Sequence, residues 1–525
     1  MRRRTRLVAL AALAAVVAGC VATEAADPGS DRPVRILVGE PATLDPARQG
    51  DAGSAAITAQ LFESITAIDA DLEVRPALAA SWVAQDGGRR IVFTMRPDLE
   101  FSDGTPLRAS DVVRSWLRLI DPAAPSPLAT LLLDVAGAAA YVDGTSTDPG
   151  TVGLTADDGV GTLTVDLTRP ATDFPAVVAG PSFAVVPPGI DGAATALEPG
   201  DSFVASGGYT LAAIAPDRMT LHANENYWAG RPAISTIELV TTIAGGSPVE
   251  AFEDGELDYA GLGGSDASWI AYDATLGPRL IEIPSLIVEY YGFDTSRPPF
   301  DDVRVRQAVG MAVDWRRMAA LAVSDDAGEV ATSMVPPGIP GRSEQDFVPP
   351  HDPERARSLL AEAGYPGGRG FPATTLLTNG GQFDEAVVTE IERELGVRLA
   401  AESMAFGPYT ERLLGDPPAM WSLAWVADYP GRNDFLGVLL GTGATNNYGR
   451  WSSAPFDRAI AEAGSTTDEA AMAAAYDRAE AIVRDEVPVV PLTYGAGWAL
   501  VREGLLGAGQ NGLAIIRMAG LAWAD

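Results

Sequence analysis

Apolar and polar residues alternate along several short stretches of this chain with the period of a half-buried strand. Such alternation occurs at residues 34–38, 91–96, 163–167, 209–214, 218–222 and 237–242. Because successive side chains of a strand point to opposite faces, each stretch predicts a strand with one face toward a core. The C-terminal half of the chain has fewer such stretches and is expected to be more helical.

Apolar residues spaced three and four positions apart predict helices with one buried face. Most of these helices are expected to begin at a side chain that accepts a hydrogen bond from the first turn, namely Ser110, Asp302, Asp314, Asp352 and Thr466. Two shorter helices are predicted at residues 57–65 and 249–258. Strands and helices interleave without a tandem repeat, which predicts α/β domains.

One stretch combines a predicted strand with candidate chemistry. Residues 423–427 are apolar and strand-like in composition, and they run directly into Asp428, an aromatic residue and a proline. A strand that ends in this way delivers a carboxylate into a confined space, where desolvation is costly unless a partner compensates the charge. That partner is either a cationic group of a ligand or an ion pair with Arg432 or Arg450. Considered alone, the stretch favours the structural ion pair.

Composition narrows the function classes. The chain has 525 residues, enough for two or three domains, and a formal net charge of −33. Nucleic acid is excluded as a partner because phosphate binding draws on clustered basic residues. The two histidines, His222 and His351, do not have the spacing of a metal site, and the glycine pairs lack phosphate-binding motifs. No metal, no cofactor and no catalytic residue are therefore expected, and the protein is not expected to be an enzyme.

The first residues have the layout of an export signal. Residues 1–20 contain a basic head, an apolar core too short to span a bilayer, and small residues before Cys20, the only cysteine. This arrangement resembles a bacterial lipoprotein signal, with cleavage before Cys20 and lipid attachment to it. Residues 21–31 are then expected to form a flexible polar tether. The alternative is a plain secretory signal with an incidental cysteine.

A series of short motifs runs in order through nearly the whole mature chain. The strongest are PALAASW at residues 76–82, FSDGTP at 101–106 and SWLRLIDP at 115–122. Further motifs lie at residues 207–209, 224–228, 255–258, 299–308, 359–365, 423–430 and 488–494. Together they resemble the extracytoplasmic solute-binding proteins of ABC importers, specifically the peptide- and oligopeptide-binding family 5. Each motif is weak alone, and their number and order carry the resemblance.

The resemblance implies a two-lobed α/β fold of the type II periplasmic-binding-protein class, with a hinge between the lobes and the additional domain of the larger members. The implied divisions are lobe I at about 32–70, 182–285 and 497–525, the additional domain at about 71–181, and lobe II at about 286–496. The chain would cross between the lobes near residues 289–291 and 491–494.

The resemblance also implies a ligand site. Its candidate residues are Asp428, Trp425, Val426, Ala427, Phe406, Tyr291 and Tyr494. In peptide-binding relatives the acid of the Trp-x-Ala-Asp-Tyr motif binds the α-ammonium group of the ligand, and that role falls on Asp428. The backbone of residues 425–427 would pair with an extended peptide like an added strand, with residues 49–53 as the opposite edge. For each aromatic wall residue the alternative is ordinary core packing.

One departure from the relatives concerns the far end of the ligand. Where oligopeptide-binding relatives place cationic residues or histidine near the ligand carboxylate, this chain has Asp384 and Ser422. Recognition of a free C-terminus is therefore not implied, and the ligand is open to being longer, modified or not a peptide.

The implied function is a lipid-anchored, monomeric binding protein on the outer face of the bacterial cytoplasmic membrane. It would capture a peptide or other small solute between its lobes and present it to the permease subunits of an ABC transporter, without catalysis. The alternative ligands are a cationic small molecule, a sugar or a metal chelate. The alternative outside binding is a surface hydrolase.

Overall fold

The structure is a computed structural model that describes residues 32–190, 203–283, 285–322, 328–380, 383–509, 512–513 and 515–524. The predicted signal, Cys20 and the predicted tether lie outside the described residues. No helix in the described ranges combines the length and the apolar character needed to cross a bilayer.

Six of the strands in the described residues match the six alternating stretches. They are β1 Val34–Leu37, β2 Thr66–Ile68, β3 Val74–Pro76, β4 Ala79–Gln85, β5 Arg90–Met95, β6 Leu154–Asp157, β7 Thr162–Asp166, β8 Tyr209–Ala215, β9 Arg218–Ala223, β10 Thr236–Val240, β11 Tyr259–Leu262, β12 Leu280–Ile283, β13 Ile287–Phe293, β14 Gly328–Val330, β15 Thr374–Thr378, β16 Leu399–Ser403, β17 Met420–Val426, β18 Val489–Gly495, β19 Gly497–Val501, β20 Leu505–Leu506 and β21 Ala522–Trp523.

The helices are concentrated in the second half of the chain, as their periodicity predicted. They are α1 Ala52–Leu61, α2 Ala109–Leu119, α3 Ala138–Val142, α4 Phe174–Val177, α5 Pro248–Glu253, α6 Gly264–Ile270, α7 Val303–Ala312, α8 Trp315–Ala322, α9 Pro353–Glu362, α10 Asp384–Leu395, α11 Phe406–Gly415, α12 Arg432–Phe435, α13 Gly437–Leu440, α14 Ala454–Gly464 and α15 Glu469–Glu486.

Three larger sheets organise the described residues. A seven-stranded sheet has the order β12-β19-β11-β1-β10-β9-β8, a six-stranded sheet the order β14-β18-β13-β17-β15-β16, and a four-stranded sheet the order β4-β5-β7-β6. The six-stranded sheet is buried on both faces, because Val288 and Tyr290 of β13 join one apolar cluster while Tyr291 and Phe293 join another. A mixed sheet covered on both faces is the layer arrangement of an α/β lobe.

Three of the predicted helix starts are confirmed by their hydrogen bonds. Asp302 accepts from Arg304 N–H at 2.9 Å, Asp314 from Arg317 N–H at 3.1 Å, and Asp352 from Arg355 N–H at 3.0 Å. Each acid satisfies a donor of the first turn that has no partner within the helix.

Two other predicted caps are wrong. Ser110 lies inside α2, whose N-cap is Arg108, and the carboxylate of Asp111 accepts from the Arg108 N–H. Thr466 lies before the true cap of α15, Asp468, which accepts from Ala471 N–H at 2.8 Å. In both places several capping side chains stand close together in sequence, and the path of the preceding loop decides which one is used.

The two short helices were also displaced from their predictions. Asp51 caps α1 through Ser54 N–H, so that this helix begins before residue 57 and ends at Leu61. The helix predicted at 249–258 ends at Glu253, because Gly255 has a φ of +76°, a left-handed conformation that ends helices.

The predicted crossings between the lobes fall close to two short connections that link the six- and seven-stranded sheets. Residues 289–291 lie within β13 and residues 491–494 within β18, and these two strands pair with each other inside the six-stranded sheet. The chain passes between the six- and seven-stranded sheets from Ile283 to Ile287 and again from Gly495 to Gly497. β12 and β19, at which these two connections enter the seven-stranded sheet, pair antiparallel with each other.

Candidate functional site

The predicted recognition stretch is a strand with one open edge. β17 pairs antiparallel with β13 along its whole length, from Met420 opposite Phe293 to Val426 opposite Ile287. On its other side β15 pairs only with Met420 and Trp421. Within the described residues, the far edge of positions 423–426 therefore has no strand partner, and this leaves its backbone groups available to an added strand.

The strand ends where it was predicted to end. Ala427 donates its N–H to the carbonyl of Leu286 at 2.9 Å, which extends the pairing by one residue before Asp428. Val426 is 49% exposed, whereas Ala427 is buried and Trp425 and Asp428 are half-buried. The structure thus brings four of the predicted site residues together at one strand end.

Neither arginine that was a candidate partner pairs with Asp428. Arg432 is bound to Glu480 and, at 2.7 Å, to Asp477, while Arg450 lies 3.6 Å from Asp294. No other cation among the described residues forms an ion pair with the Asp428 carboxylate. The structural interpretation that the stretch favoured on its own is therefore wrong, and desolvation raises the pKa of Asp428 to about 6.

A second acid lies directly behind Asp428. The Oδ2 atom of Asp434 accepts from the Trp425 Nε1–H at 3.0 Å and from the Asp428 backbone N–H at 3.1 Å. Asp434 is fully buried, and its Oδ1 atom has no hydrogen-bond partner among the described residues. Burial and the neighbouring Asp428 charge raise the pKa of Asp434 well above its usual range.

Sequence reasoning missed Asp434. The only available signal was an acid at the third position of a short segment that follows the Pro-Gly turn after Tyr429. That turn places α12 against the strand end, so that an acid six residues along the chain folds back onto Asp428.

A cavity of about 420 Å³, lined by both polar and apolar residues, has Tyr429 in its wall. The Tyr429 hydroxyl donates to Asp173 at 3.0 Å and accepts from the Asn433 side-chain amide at 2.9 Å. Burial raises the pKa of Asp173, although Arg169 nearby opposes the shift. Tyr429 is buried and lies three residues after the end of β17, so this cavity is close to the strand end along the chain.

Tyr291 was a candidate wall and is 3% exposed. Its hydroxyl donates to Asp384 at 2.8 Å, and the Thr378 hydroxyl donates to the same carboxylate. Asp384, which stands where relatives place groups near the far carboxylate, is thus a buried acid held by two hydroxyls. Contact between Tyr291 and a ligand stays a prediction, and its burial favours the packing alternative.

Tyr494 is placed similarly. It is 3% exposed, and its hydroxyl accepts from the N–H groups of Thr332 and Ser333 and donates to the Ser333 carbonyl. Val288 of β13 is paired with Trp425 of β17 on one side and with Tyr494 of β18 on the other. All three residues belong to one apolar cluster. The placement favours packing for Tyr494 as well, and its contact with a ligand stays a prediction.

The remaining predicted positions have separate surroundings. Phe406 begins α11, but its side chain lies outside the described residues. The Ser422 carbonyl accepts a hydrogen bond from the Tyr409 hydroxyl. In the loop predicted as the opposite edge, Gln49 is buried and donates to Ser182 at 2.5 Å. No group of three or more His, Cys, Asp or Glu residues in the described ranges is arranged to hold a metal ion.

Comparison with known proteins defines the class. The model of the bacterial extracellular solute-binding proteins, family 5 middle region, matches residues 73–447. The chain is 30% identical over 474 residues to the probable deoxycholate-binding periplasmic protein YgiS of Escherichia coli K12, covering 87% of this chain and 86% of the relative. It is 27% identical over 517 residues to the periplasmic oligopeptide-binding protein OppA of the same organism, covering 94% of each.

Comparison with solved structures identifies the same class of protein. The solved structure of the E. coli murein tripeptide binding protein MppA superposes with a TM-score of 0.76 at 25% identity, covering 94% of this chain and 98% of that one. The chain belongs to family 5 of the bacterial extracellular solute-binding proteins. It has their two-lobed α/β fold, and the family consists of binding proteins associated with peptide-type ABC importers rather than of enzymes.

Proposed function

We propose that this protein is the lipid-anchored, monomeric binding component of an ABC importer that captures peptides between its lobes. The observation that carries the proposal is the carboxylate of Asp428, which forms no ion pair with the described residues and lies at the end of a strand with an open edge. A peptide supplies what this arrangement lacks, because its α-ammonium group compensates the buried charge and its backbone pairs with residues 423–426.

The lobes of this proposal follow the sheets. The seven-stranded sheet lies in residues assigned to lobe I, the six-stranded sheet in residues assigned to lobe II, and the four-stranded sheet in residues assigned to the additional domain. Closure about the two short connections would desolvate a bound ammonium group, so a ligand would shift the population from open to closed.

Export and anchoring complete the proposal. The signal-like segment and Cys20 support lipid attachment and a location on the outer face of the cytoplasmic membrane, where permease subunits would receive the ligand. Named relatives of the chain are periplasmic, which supports an extracytoplasmic location.

A non-peptide ligand is the second candidate, because the 30% identical relative is named as a probable deoxycholate-binding protein. Deoxycholate is an anion at neutral pH, and the strand end presents two acids without a bound cation from the described residues. Electrostatics at this end of the site therefore favours a ligand with a positive group.

Mass spectrometry of the small molecules released on denaturing the purified protein tests the choice. We expect peptides with free amino termini to be released from the wild-type protein and to be strongly depleted from the Asp428→Ala variant. Release of a bile acid, a sugar or a metal chelate in place of peptides would refute the peptide assignment.

A further inference from the structure

Asp434 has no role in the proposed peptide site so far, yet it is placed as part of it. Its Oδ2 atom holds both the indole of Trp425 and the backbone N–H of Asp428, at 3.0 and 3.1 Å. The acid is therefore fixed against the residue proposed to bind the ligand amine. Its second oxygen, Oδ1, is buried without a partner in the described part of the chain.

Charged residues surround Asp428 and Asp434, but each nearby cation in the described residues is already bound to another acid. Arg432, two positions before Asp434, is bound to Glu480 and Asp477. Arg169 is bound to Asp134, and the third nearby acid, Asp173, accepts the Tyr429 hydroxyl. Asp173 adds further negative charge that disfavours ionisation of Asp434.

A fully buried carboxylate and a half-buried one beside it cannot both ionise at low cost unless a cation lies next to them. Resting on the function proposed above, we propose that Asp434 is the second carboxylate of the amine site, that the empty pair holds one proton at neutral pH, and that this proton leaves to solvent when a ligand's ammonium group binds. The bound cation then lies beside two carboxylates.

A site with two acids restricts the chemistry of the ligand more than a site with Asp428 alone. An ammonium group bound at Asp428 also brings its positive charge close to Asp434, whereas an N-acetylated terminus has neither the charge nor the three N–H donors. The site is thus specific for a free cationic terminus, and binding is linked to proton release.

The empty protein provides a test that needs no ligand. A protonated carboxyl group has its own carbonyl stretching band, so the infrared spectrum of the wild-type protein at pH 7 should contain a band that the Asp434→Asn variant lacks. The matched control is Glu385→Gln, which removes one exposed charge at the start of α10 and should leave the band unchanged. Absence of a difference between wild type and Asp434→Asn overturns the proposal.

Ligand binding gives the second measurement. Unblocked tetra-alanine, titrated at pH 7 in buffers of different ionisation enthalpy, should release about one proton per peptide bound, and the infrared band should disappear. Between pH 6 and 7.5, where the α-ammonium group stays mostly protonated, affinity should rise by about tenfold per pH unit. In Asp434→Asn the proton release at pH 7 should be largely lost, and only the weaker pH dependence from the titration of Asp428 near pH 6 should remain.

The outcomes separate this inference from the proposed function. Tetra-alanine that binds without proton release and without loss of the band overturns the inference and leaves peptide binding intact. If tetra-alanine and its N-acetylated form bind equally, specificity for a free amine is refuted.

If Asp434→Asn does not fold, Trp425→Phe replaces it in the infrared measurement. The indole N–H lowers the pKa of Asp434, so its removal should keep the band to a higher pH. A band that keeps its pH midpoint in Trp425→Phe would place the proton elsewhere and overturn the assignment to Asp434.

Discussion

Arg432 and Asp434 stand two residues apart in the same short helix, and the structure treats their charges in opposite ways. Arg432 is 3% exposed and is enclosed by Glu480, Asp477 and the Gly341 carbonyl, so its charge is compensated within the protein. Asp434 is fully buried and faces another acid, Asp428, with no cation from the described residues. Removal of one partner from a compensated buried pair leaves a buried charge and destabilises the fold, whereas an uncompensated buried acid is a candidate place for a ligand to complete the electrostatics.

The largest expected effect is the loss of stability when the compensated charge of Arg432 is removed. Arg432→Met should lower the free energy of unfolding by about 3–5 kcal/mol, because Glu480 and Asp477 lose their buried partner. Urea unfolding measures this loss. The matched control is Arg478→Met, which breaks the exposed pair with Glu462 and should cost less than about 1 kcal/mol. Equal losses in the two variants would contradict the distinction between the buried and the exposed pair.

For the uncompensated acids, Asp428 and Asp434, the main effect of substitution should be on peptide binding. Asp428→Ala should weaken the binding of an unblocked tetrapeptide by about 2–5 kcal/mol, because the ligand ammonium group loses its buried counter-charge. Isothermal titration calorimetry gives the affinity, and circular dichroism checks that the fold is retained. Unchanged affinity would remove Asp428 from the site.

The same residue should have the opposite effect on stability. Burial raises the folded-state pKa of Asp428 to about 6, above its value of about 3.9 in the unfolded chain. The folded protein therefore binds more protons between these values, so this group makes the unliganded protein less stable as pH rises from about 4 to about 6.

Asp428→Asn removes that penalty and should raise the free energy of unfolding of the empty protein at pH 7 by about 1–3 kcal/mol. The upper value corresponds to the full pKa difference, and the half-buried side chain makes the gain smaller. Thermal and urea unfolding at pH 4 and pH 7 provide the measurement, and the gain should shrink toward pH 4. A variant less stable than the wild type at pH 7 would show that an internal partner compensates Asp428.

The smallest expected effect concerns Tyr494, a candidate ligand contact whose burial favours a role in packing. Tyr494→Phe leaves the N–H groups of Thr332 and Ser333 without their acceptor, which should cost about 1–2 kcal/mol of stability. Peptide affinity should be unchanged, because the ring is buried among apolar residues. A loss of affinity larger than the loss of stability would restore Tyr494 as a ligand contact.

Local sequence signals predicted the parts of the fold that short-range physics controls. Alternation located β1, β5, β7 and the strands from β8 to β10, and Asp302, Asp314 and Asp352 were correct as helix caps. Where several capping residues stand together, as before α2 and α15, the sequence offered alternatives that only the loop path resolved.

At the site, the sequence by itself determined that a strand ends in an acid at Asp428, because apolar residues and a following turn are a local pattern. The choice between an ion pair and an open site needed the positions of Arg432 and Arg450, which the fold directs to acids distant in sequence. Asp434 could be recognised as a site residue only from the structure, in which α12 lies against the strand end. Charge compensation depends on distances between residues far apart along the chain, and only the tertiary structure sets those distances.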